Sequence, residues 1–198
     1  MNKPFYESCE ENKQVILQQL QSLFKPVRQV LEIGSGSGQH AVFFSQQMAH
    51  LQWQPSDLQE NLAGIELWRQ QAGLSNIKAP IELDVMNLQA ADLAAVDAVF
   101  TANTLHIMSI VHVEALFQAM GRWLQPGGLF CCYGPFNHNG QFSSDSNARF
   151  DQWLKQRDAV SGIRDLSELS KFAEQAGIGL KEDIEMPVNN RILIWSKH

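Results

Sequence analysis

One short stretch constrains the fold of this chain more than any other. The apolar run that ends in Leu31-Glu32-Ile33 passes directly into Gly34-Ser35-Gly36-Ser37-Gly38, with glycine at every second position. Glycine adopts positive φ angles at little cost and lets a bound group approach the main chain. We therefore expect an apolar strand, a tight turn and a helix from about Gly38, whose free N–H groups point at that bound group.

The spacing of these glycines separates two kinds of nucleotide site. The dinucleotide fingerprint is G-x-G-x-x-G, and Gln39 stands where its third glycine would be. The observed G-x-G-x-G spacing, with Glu32 in the strand before it, resembles the first motif of class I S-adenosylmethionine-dependent methyltransferases. A nicotinamide site, or a loop that only connects a strand to a helix, is the alternative.

The composition fits one globular domain. Of 198 residues, 44% are hydrophobic and 18% are charged, which allows one well-buried core. A net charge of −6 without a Lys/Arg cluster argues against a nucleic-acid partner. No apolar run approaches the ~18 residues that cross a membrane, and the N-terminus lacks the apolar core of a signal peptide. No Cys/His spacing suggests a metal, so we expect a metal-free chain. We also expect a cytoplasmic protein that acts on a small-molecule substrate. The sequence does not determine its oligomeric state.

Strands alternate with helices along most of the chain, after an amphipathic helix expected over residues 9–24 with Ser8 and Glu11 as a capping box. The expected strands are 29–33, 51–54, 80–83, 97–102 and 128–133, and the expected helices are 38–48, 59–72, 111–123, 147–157 and 166–176. Such alternation predicts a parallel sheet wound on both faces. Residues 180–186 and 191–195 read as a closing hairpin, since Asn189-Asn190 tolerates the positive φ of a tight turn.

The methyltransferase resemblance implies a fold and a domain layout. It implies an α/β, Rossmann-like fold with three α/β/α layers, in which a mostly parallel seven-stranded sheet ends in a C-terminal antiparallel hairpin. We expect a single domain over residues 1–198, with an N-terminal helical segment over 1–26. Residues 134–165 are expected to form a substrate lid, because 137–145 are polar and glycine-punctuated.

Polar residues at the expected strand ends are candidates for cofactor binding, because ligands of doubly wound sheets lie at the carboxyl ends of the strands. Asp57 lies 57 − 34 = 23 residues after Gly34, where a carboxylate can accept from ribose hydroxyls. Asp84 would accept from the adenine amino group. The predicted S-adenosylmethionine contacts are Glu32, Gly34, Ser35, Gly36, Gly38, His40, Asp57, Leu58, Asp84, Val85, Asn103 and Thr104.

Two side chains are candidates for catalysis. His106, after the fourth expected strand, suits proton removal near neutral pH, although it could equally be a packed structural histidine. Tyr133 could donate to a substrate oxygen or belong to the core. Methyl transfer from a sulfonium can also proceed without a base, with alignment of the reactants supplying the rate.

The methyltransferase resemblance implies substrate contacts on three segments. They are Asn12 and Lys13 in the first helix, Phe136 and Asn137 after the fifth strand, and Trp153 and Arg157 in the following helix. Phe150, Trp153 and Arg157 share a helix face and are expected to point inward together. A solvated first helix and a helix that merely covers the sheet are the simpler alternatives.

Several segments narrow the resemblance further. They are residues 10–13, 33–41, 53–57, 102–107, 133–136 and 163–166, and they resemble the methyltransferase-like 26 family, formerly a domain of unknown function. The resemblance spans nearly the whole chain and implies a methyltransferase without implying a substrate. A non-catalytic S-adenosylmethionine-binding sensor or interaction module and a protein methyltransferase are the competing hypotheses.

Overall fold

The computed structural model describes residues 3–87 and 94–198. The helices are α1 (Glu7–Leu23), α2 (Gln39–Gln47), α3 (Gln59–Ala72), α4 (Ile110–Trp123), α5 (Asp145–Arg157) and α6 (Leu166–Gln175). The strands are β1 (Gln29–Ile33), β2 (Gln52–Asp57), β3 (Ile81–Glu82), β4 (Val96–Ala102), β5 (Leu124–Gly134), β6 (Phe136–Asn137), β7 (Arg164–Asp165), β8 (Ile178–Met186) and β9 (Asn190–Lys197).

Seven of these strands form one sheet in the order β3-β2-β1-β4-β5-β9-β8. β1 pairs in parallel with β2 and β4, and β2 pairs in parallel with β3. β9 runs antiparallel to both β5 and β8, which makes β8 and β9 the C-terminal hairpin. The predicted fold class, a mostly parallel seven-stranded sheet with helices on both sides and a closing hairpin, is confirmed.

The described chain forms two compact units. The first contains residues 3–87 and Val96–Thr101, and its core is an aromatic cluster. Phe24, Phe44, Trp53 and Phe100 are fully buried, with ring centroids 5.5–6.5 Å apart. The ring planes are tilted or edge to face, and the burial of these large side chains packs α2 against β2 and β4.

The second unit contains residues 94–95 and Ala102–His198. Its core is built around Phe117, Phe130 and Trp195, whose ring centroids lie 5.0–5.6 Å apart. The hairpin tip spans a 3-10 turn, Pro187–Asn189. The predicted positive φ occurs at Asn189, but the second such residue is Val188 rather than Asn190.

Several element boundaries differ from the sequence prediction, among them the start of α1 and the end of β2. α1 begins at Glu7, with Tyr6 as N-cap and no side-chain capping bond, so the predicted Ser8–Glu11 capping box is wrong. β2 continues through Pro55 to Asp57, because proline keeps the extended backbone of the strand although it cannot donate to it. Asp57 is therefore the last residue of β2.

Candidate functional site

The loop between β1 and α2 owes its shape to three glycines. Gly34, Gly36 and Gly38 have φ angles of 68°, 58° and 91°, which side chains rarely adopt. A Cβ atom at Gly38 would lie 3.0 Å from Cα of Ile65, so glycine is needed where the loop approaches α3. Gly34 and Gly36 are partly exposed, and the loop presents bare main chain to solvent.

Asp57 lies beside this loop and is held by it. One carboxylate oxygen, Oδ2, accepts from the N–H of Gly36 at 2.7 Å. The other, Oδ1, accepts from the N–H of Leu58 and from Asn61 Nδ2, both at 2.8 Å. Each carboxylate oxygen has two lone pairs, so Oδ2 can accept one further hydrogen bond. Leu58 is 44% exposed, which leaves an apolar side chain next to a fixed carboxylate.

Glu32 and Ser35 support the loop from the protein interior. Oε2 of the buried Glu32 accepts from Ser35 Oγ at 2.8 Å and from Trp53 Nε1 at 3.1 Å. Burial raises the pKa of the Glu32 carboxyl to about 7, with the negative charge of Asp57 adding a smaller upward contribution. These two side chains bond within the protein and hold the loop in place, and their contacts with the cofactor stay predictions.

The predicted adenine contact lies in a turn after β3. Asp84 Oδ1 accepts from the N–H of Met86 at 2.9 Å. Val85 is buried, whereas Met86 is half exposed. Asp84 is partly exposed, so its second carboxylate oxygen remains a candidate acceptor, and the adenine assignment stays a prediction.

His40 and Asn12 form a buried pair between α2 and α1. His40 Nε2 lies 2.7 Å from Asn12 Oδ1, and the imidazole stacks on Phe44 with centroids 5.2 Å apart. Burial lowers the pKa of His40 to about 4, so the ring is neutral at pH 7. The alternative of a solvated helix start is wrong for Asn12, because its side chain is buried against His40, and its predicted substrate contact stays a prediction. Lys13 stays at the surface, where it forms an ion pair with Glu10.

In the second unit, three predicted residues gather around Gly134. Asn103 follows β4 with a φ of 56°, and its N–H donates to the carbonyl of Tyr133 at 2.9 Å. A Cβ atom at Gly134 would lie 3.8 Å from Asn103 Oδ1 and 3.9 Å from His106 Nδ1. The hydroxyl of Thr104, predicted as a cofactor contact, donates to a carbonyl two residues earlier at 3.1 Å. Asn103, His106 and Tyr133 thus meet at the end of β5.

His106 is buried and uncharged at neutral pH. Its ring contacts Phe150 edge to face at 5.3 Å, and its carbonyl accepts from the N–H of Gly162 at 2.8 Å. Burial, and then the positive charge of Arg164, lower the pKa of His106 to about 4. Arg164 is fixed by the carbonyls of Leu105 and Met108. The ring can accept a proton at pH 7, but it is a weak base.

Helix α5 does not turn the predicted face inward. Trp153 is 47% exposed and Arg157 is exposed, with the guanidinium carbon 4.7 Å from the centroid of the Trp153 ring. Asn147, Asp151 and Leu154 are buried instead. Phe150 is half-buried and stacks on Trp153 at 5.7 Å. The inward orientation predicted for Trp153 and Arg157 is therefore wrong, and these two side chains form a surface stack.

The residues after β5 are more buried than expected. Phe136 is 2% exposed, so its side chain belongs to the core of the second unit rather than to an open substrate surface. Tyr133 is also buried. Asn137 Nδ2 donates to the carbonyl of Ile163 at 3.5 Å, while its buried Oδ1 has no hydrogen-bond partner within the described chain. The Oδ1 atom of Asn137 can therefore accept a hydrogen bond.

A sequence profile of the family described as "Protein of unknown function (DUF938)" matches residues 3–197. The chain belongs to the DUF938 family.

Solved structures show which fold this DUF938 chain shares. An O-methyltransferase family protein from Burkholderia thailandensis is 13% identical, with a TM-score of 0.79 over 95% of this chain and 59% of its own. The S-adenosylmethionine-dependent methyltransferase SibL is 19% identical, with a TM-score of 0.79 over 96% and 55%. Human N-acetylserotonin methyltransferase, solved with S-adenosylmethionine, is 14% identical, with a TM-score of 0.78 over 96% and 53%.

These likenesses establish the class I methyltransferase fold for the DUF938 chain. The chain spans little more than half the length of the three matched proteins. In the part that the structure describes, no three His, Cys, Asp or Glu side chains converge as metal ligands. No helix within residues 3–87 and 94–198 combines the length and the apolar character that a bilayer crossing requires.

Sequence reasoning missed a contact on the glycine loop of this DUF938 chain. The ring of Tyr6 lies over Gly36, where a Cβ atom would be 3.2 Å from Tyr6 Cε2. The N–H of Tyr6 donates to Gln39 Oε1 at 2.7 Å, and Ser37 Oγ donates to the same oxygen at 2.8 Å. The only sequence signal was the aromatic pair Phe5-Tyr6 ahead of the helix, which carries no information about its contact.

Proposed function

We propose that this chain binds S-adenosylmethionine at the glycine loop and transfers its methyl group to a small molecule. The observation that carries the proposal is the hydrogen bond between Asp57 and the Gly36 N–H, which fixes a carboxylate beside exposed main chain. The methyltransferase folds described above support the same choice of cofactor.

The residues of the loop fit this cofactor in chemistry as well as in shape. Asp57 Oδ2 keeps a free lone pair for a ribose hydroxyl, and Leu58 offers an apolar contact for a base. Gly38 precedes α2, whose dipole favours a carboxylate at the helix N-terminus. Bound S-adenosylmethionine supplies an electrophilic methyl group on a sulfonium, and the loop's task is to hold and orient it.

We assign acceptor binding to residues of the second unit. His106 is neutral at pH 7 and can take a proton from an acceptor hydroxyl, while Asn103 and Asn137 offer amide groups that can orient it. The O-methyltransferase names among the structural neighbours favour an oxygen acceptor. Membership of the methyltransferase-like 26 family remains part of this proposal.

The test is transfer of labelled methyl groups. Purified protein is incubated with methyl-labelled S-adenosylmethionine and a cell extract split into metabolite and protein fractions. We expect the label in the metabolite fraction together with S-adenosylhomocysteine formation. Label in the protein fraction would favour a protein methyltransferase, and cofactor binding without transfer would favour the sensor. Binding of NAD without S-adenosylmethionine would overturn the proposal.

A further inference from the structure

Residues 3–6 form a strap, here called the N-terminal strap, that runs from α3 to the glycine loop. At one end, the carbonyl of Pro4 accepts from Trp68 Nε1 at 2.7 Å, and Lys3 Nζ lies 3.2 Å from the centroid of the Trp68 ring. Glycine at position 64 allows this contact, because a Cβ atom there would lie 2.6 Å from Pro4 Cγ. The N-terminal strap therefore packs closely on α3.

At its other end the strap positions Tyr6 over Gly36. The Tyr6 N–H is fixed by Gln39 Oε1, and Gln39 Nε2 donates to Glu10 Oε1 at 2.8 Å. Gln39 thus ties the loop both to the strap and to α1. The ring of Tyr6 is nevertheless 48% exposed. A fixed backbone with a half-exposed aromatic ring leaves apolar surface free at the loop that we propose for the cofactor.

We infer that Tyr6 is a cofactor-contacting residue whose ring packs on S-adenosylmethionine and slows its release. The inference rests on the proposed function and adds a residue outside the glycine loop and the strand ends. The contact needs the ring and not the hydroxyl, because it is the ring that lies against Gly36. Release of the cofactor then requires the N-terminal strap to lift from α3.

The experiment measures the dissociation rate of labelled S-adenosylmethionine in a chase with unlabelled cofactor. We expect Tyr6→Ala to speed dissociation about tenfold, the effect of one aromatic contact. Tyr6→Phe should behave like the wild type. Phe5→Ala is the matched control, since Phe5 is an adjacent aromatic residue that is 54% exposed. It should leave the rate unchanged.

A second variant keeps Tyr6 and moves the strap. Gly64→Ala favours the helix by propensity but displaces Pro4, so it should speed dissociation without lowering the stability of the fold. Unchanged rates in both Tyr6→Ala and Gly64→Ala would overturn the inference and leave the proposed function standing. An increase in the dissociation rate of Tyr6→Phe equal to that of Tyr6→Ala would also overturn it, as would slower dissociation from Tyr6→Ala. Failure of the wild type to bind S-adenosylmethionine would overturn the proposed function itself.

Discussion

At the scale of single residues, burial decides the charge of two histidines. His40 and His106 are both buried, and burial is the main cause that lowers each pKa from 6.5 to about 4. The unfolded chain binds these protons near pH 6.5, whereas the folded chain binds them only near pH 4. The unfolded state therefore gains protons first as the pH falls, and stability decreases over that range.

This predicts an acid sensitivity that each histidine carries separately. Between pH 7 and pH 5 the free energy of unfolding should fall by about 2 kcal/mol for each histidine. Urea unfolding of the wild type, His40→Gln and His106→Gln at both pH values measures the difference. In each variant, the decrease in the free energy of unfolding between pH 7 and pH 5 should be smaller than in the wild type by the amount due to the replaced histidine. A variant with the full wild-type pH dependence would contradict the assignment for that histidine.

Roles of single residues were only partly predictable from the sequence. Asp57 could be placed beside the glycine loop because it follows the second expected strand and lies 57 − 34 = 23 residues after Gly34. Ser8 and Glu11 have the spacing of a capping box, yet α1 starts earlier, because the Tyr6 N–H is satisfied by Gln39 from another element. A contact between positions that far apart leaves no local pattern.

At the scale of elements, the glycine loop approaches α3 closely at Gly38. Gly38 combines a positive φ with a Cβ position 3.0 Å from the backbone of Ile65. Gly127 also has a positive φ, but no atom lies within 4 Å of its Cβ position. The two glycines therefore share the conformational strain of a substitution and differ in the clash.

We predict different costs for alanine at the two positions. Gly127→Ala should lower the free energy of unfolding by about 1 kcal/mol, from strain alone, and Gly38→Ala by about 2–4 kcal/mol, from strain and overpacking. Chemical denaturation measures both. Equal decreases in the free energy of unfolding would mean that α3 can move away from residue 38 at no cost. The packing of α3 would then not fix the loop.

Element order was more predictable than element detail. The alternation of strands and helices was readable because it reflects burial on both faces of a sheet. Strands β6 and β7 have two residues each, which is too short to leave a period, and their paired residues lie 164 − 136 = 28 positions apart in sequence. The exposed Trp153 and Arg157 show that a shared helix face does not reveal which side packs, since apolar and charged side chains can stack on each other at the surface.

At the scale of the whole molecule, the fold and the proposed cofactor site could be predicted from local sequence features, whereas the proposed acceptor site could not. The glycine loop needs positive φ angles at three positions, and the glycines that allow them can be recognised in the sequence. An acceptor site needs only a few side chains brought together by the fold, as Asn103 and His106 are around Gly134. No spacing along the chain encodes that meeting, so the substrate could not be inferred from the sequence.

The central claim is that S-adenosylmethionine binds at the glycine loop, and a calorimetric titration of two matched variants tests it. Asp57→Asn removes the carboxylate at the end of β2 that accepts from the N–H of Gly36 in the loop. Asp97→Asn removes one in β4 that accepts from the main-chain N–H groups of Arg28 and Gln29, beside the start of β1. We predict measurable binding by the wild type and Asp97→Asn, and affinity weaker by about 10- to 100-fold in Asp57→Asn. Equal affinity in the three proteins, or no binding by any of them, would contradict the account.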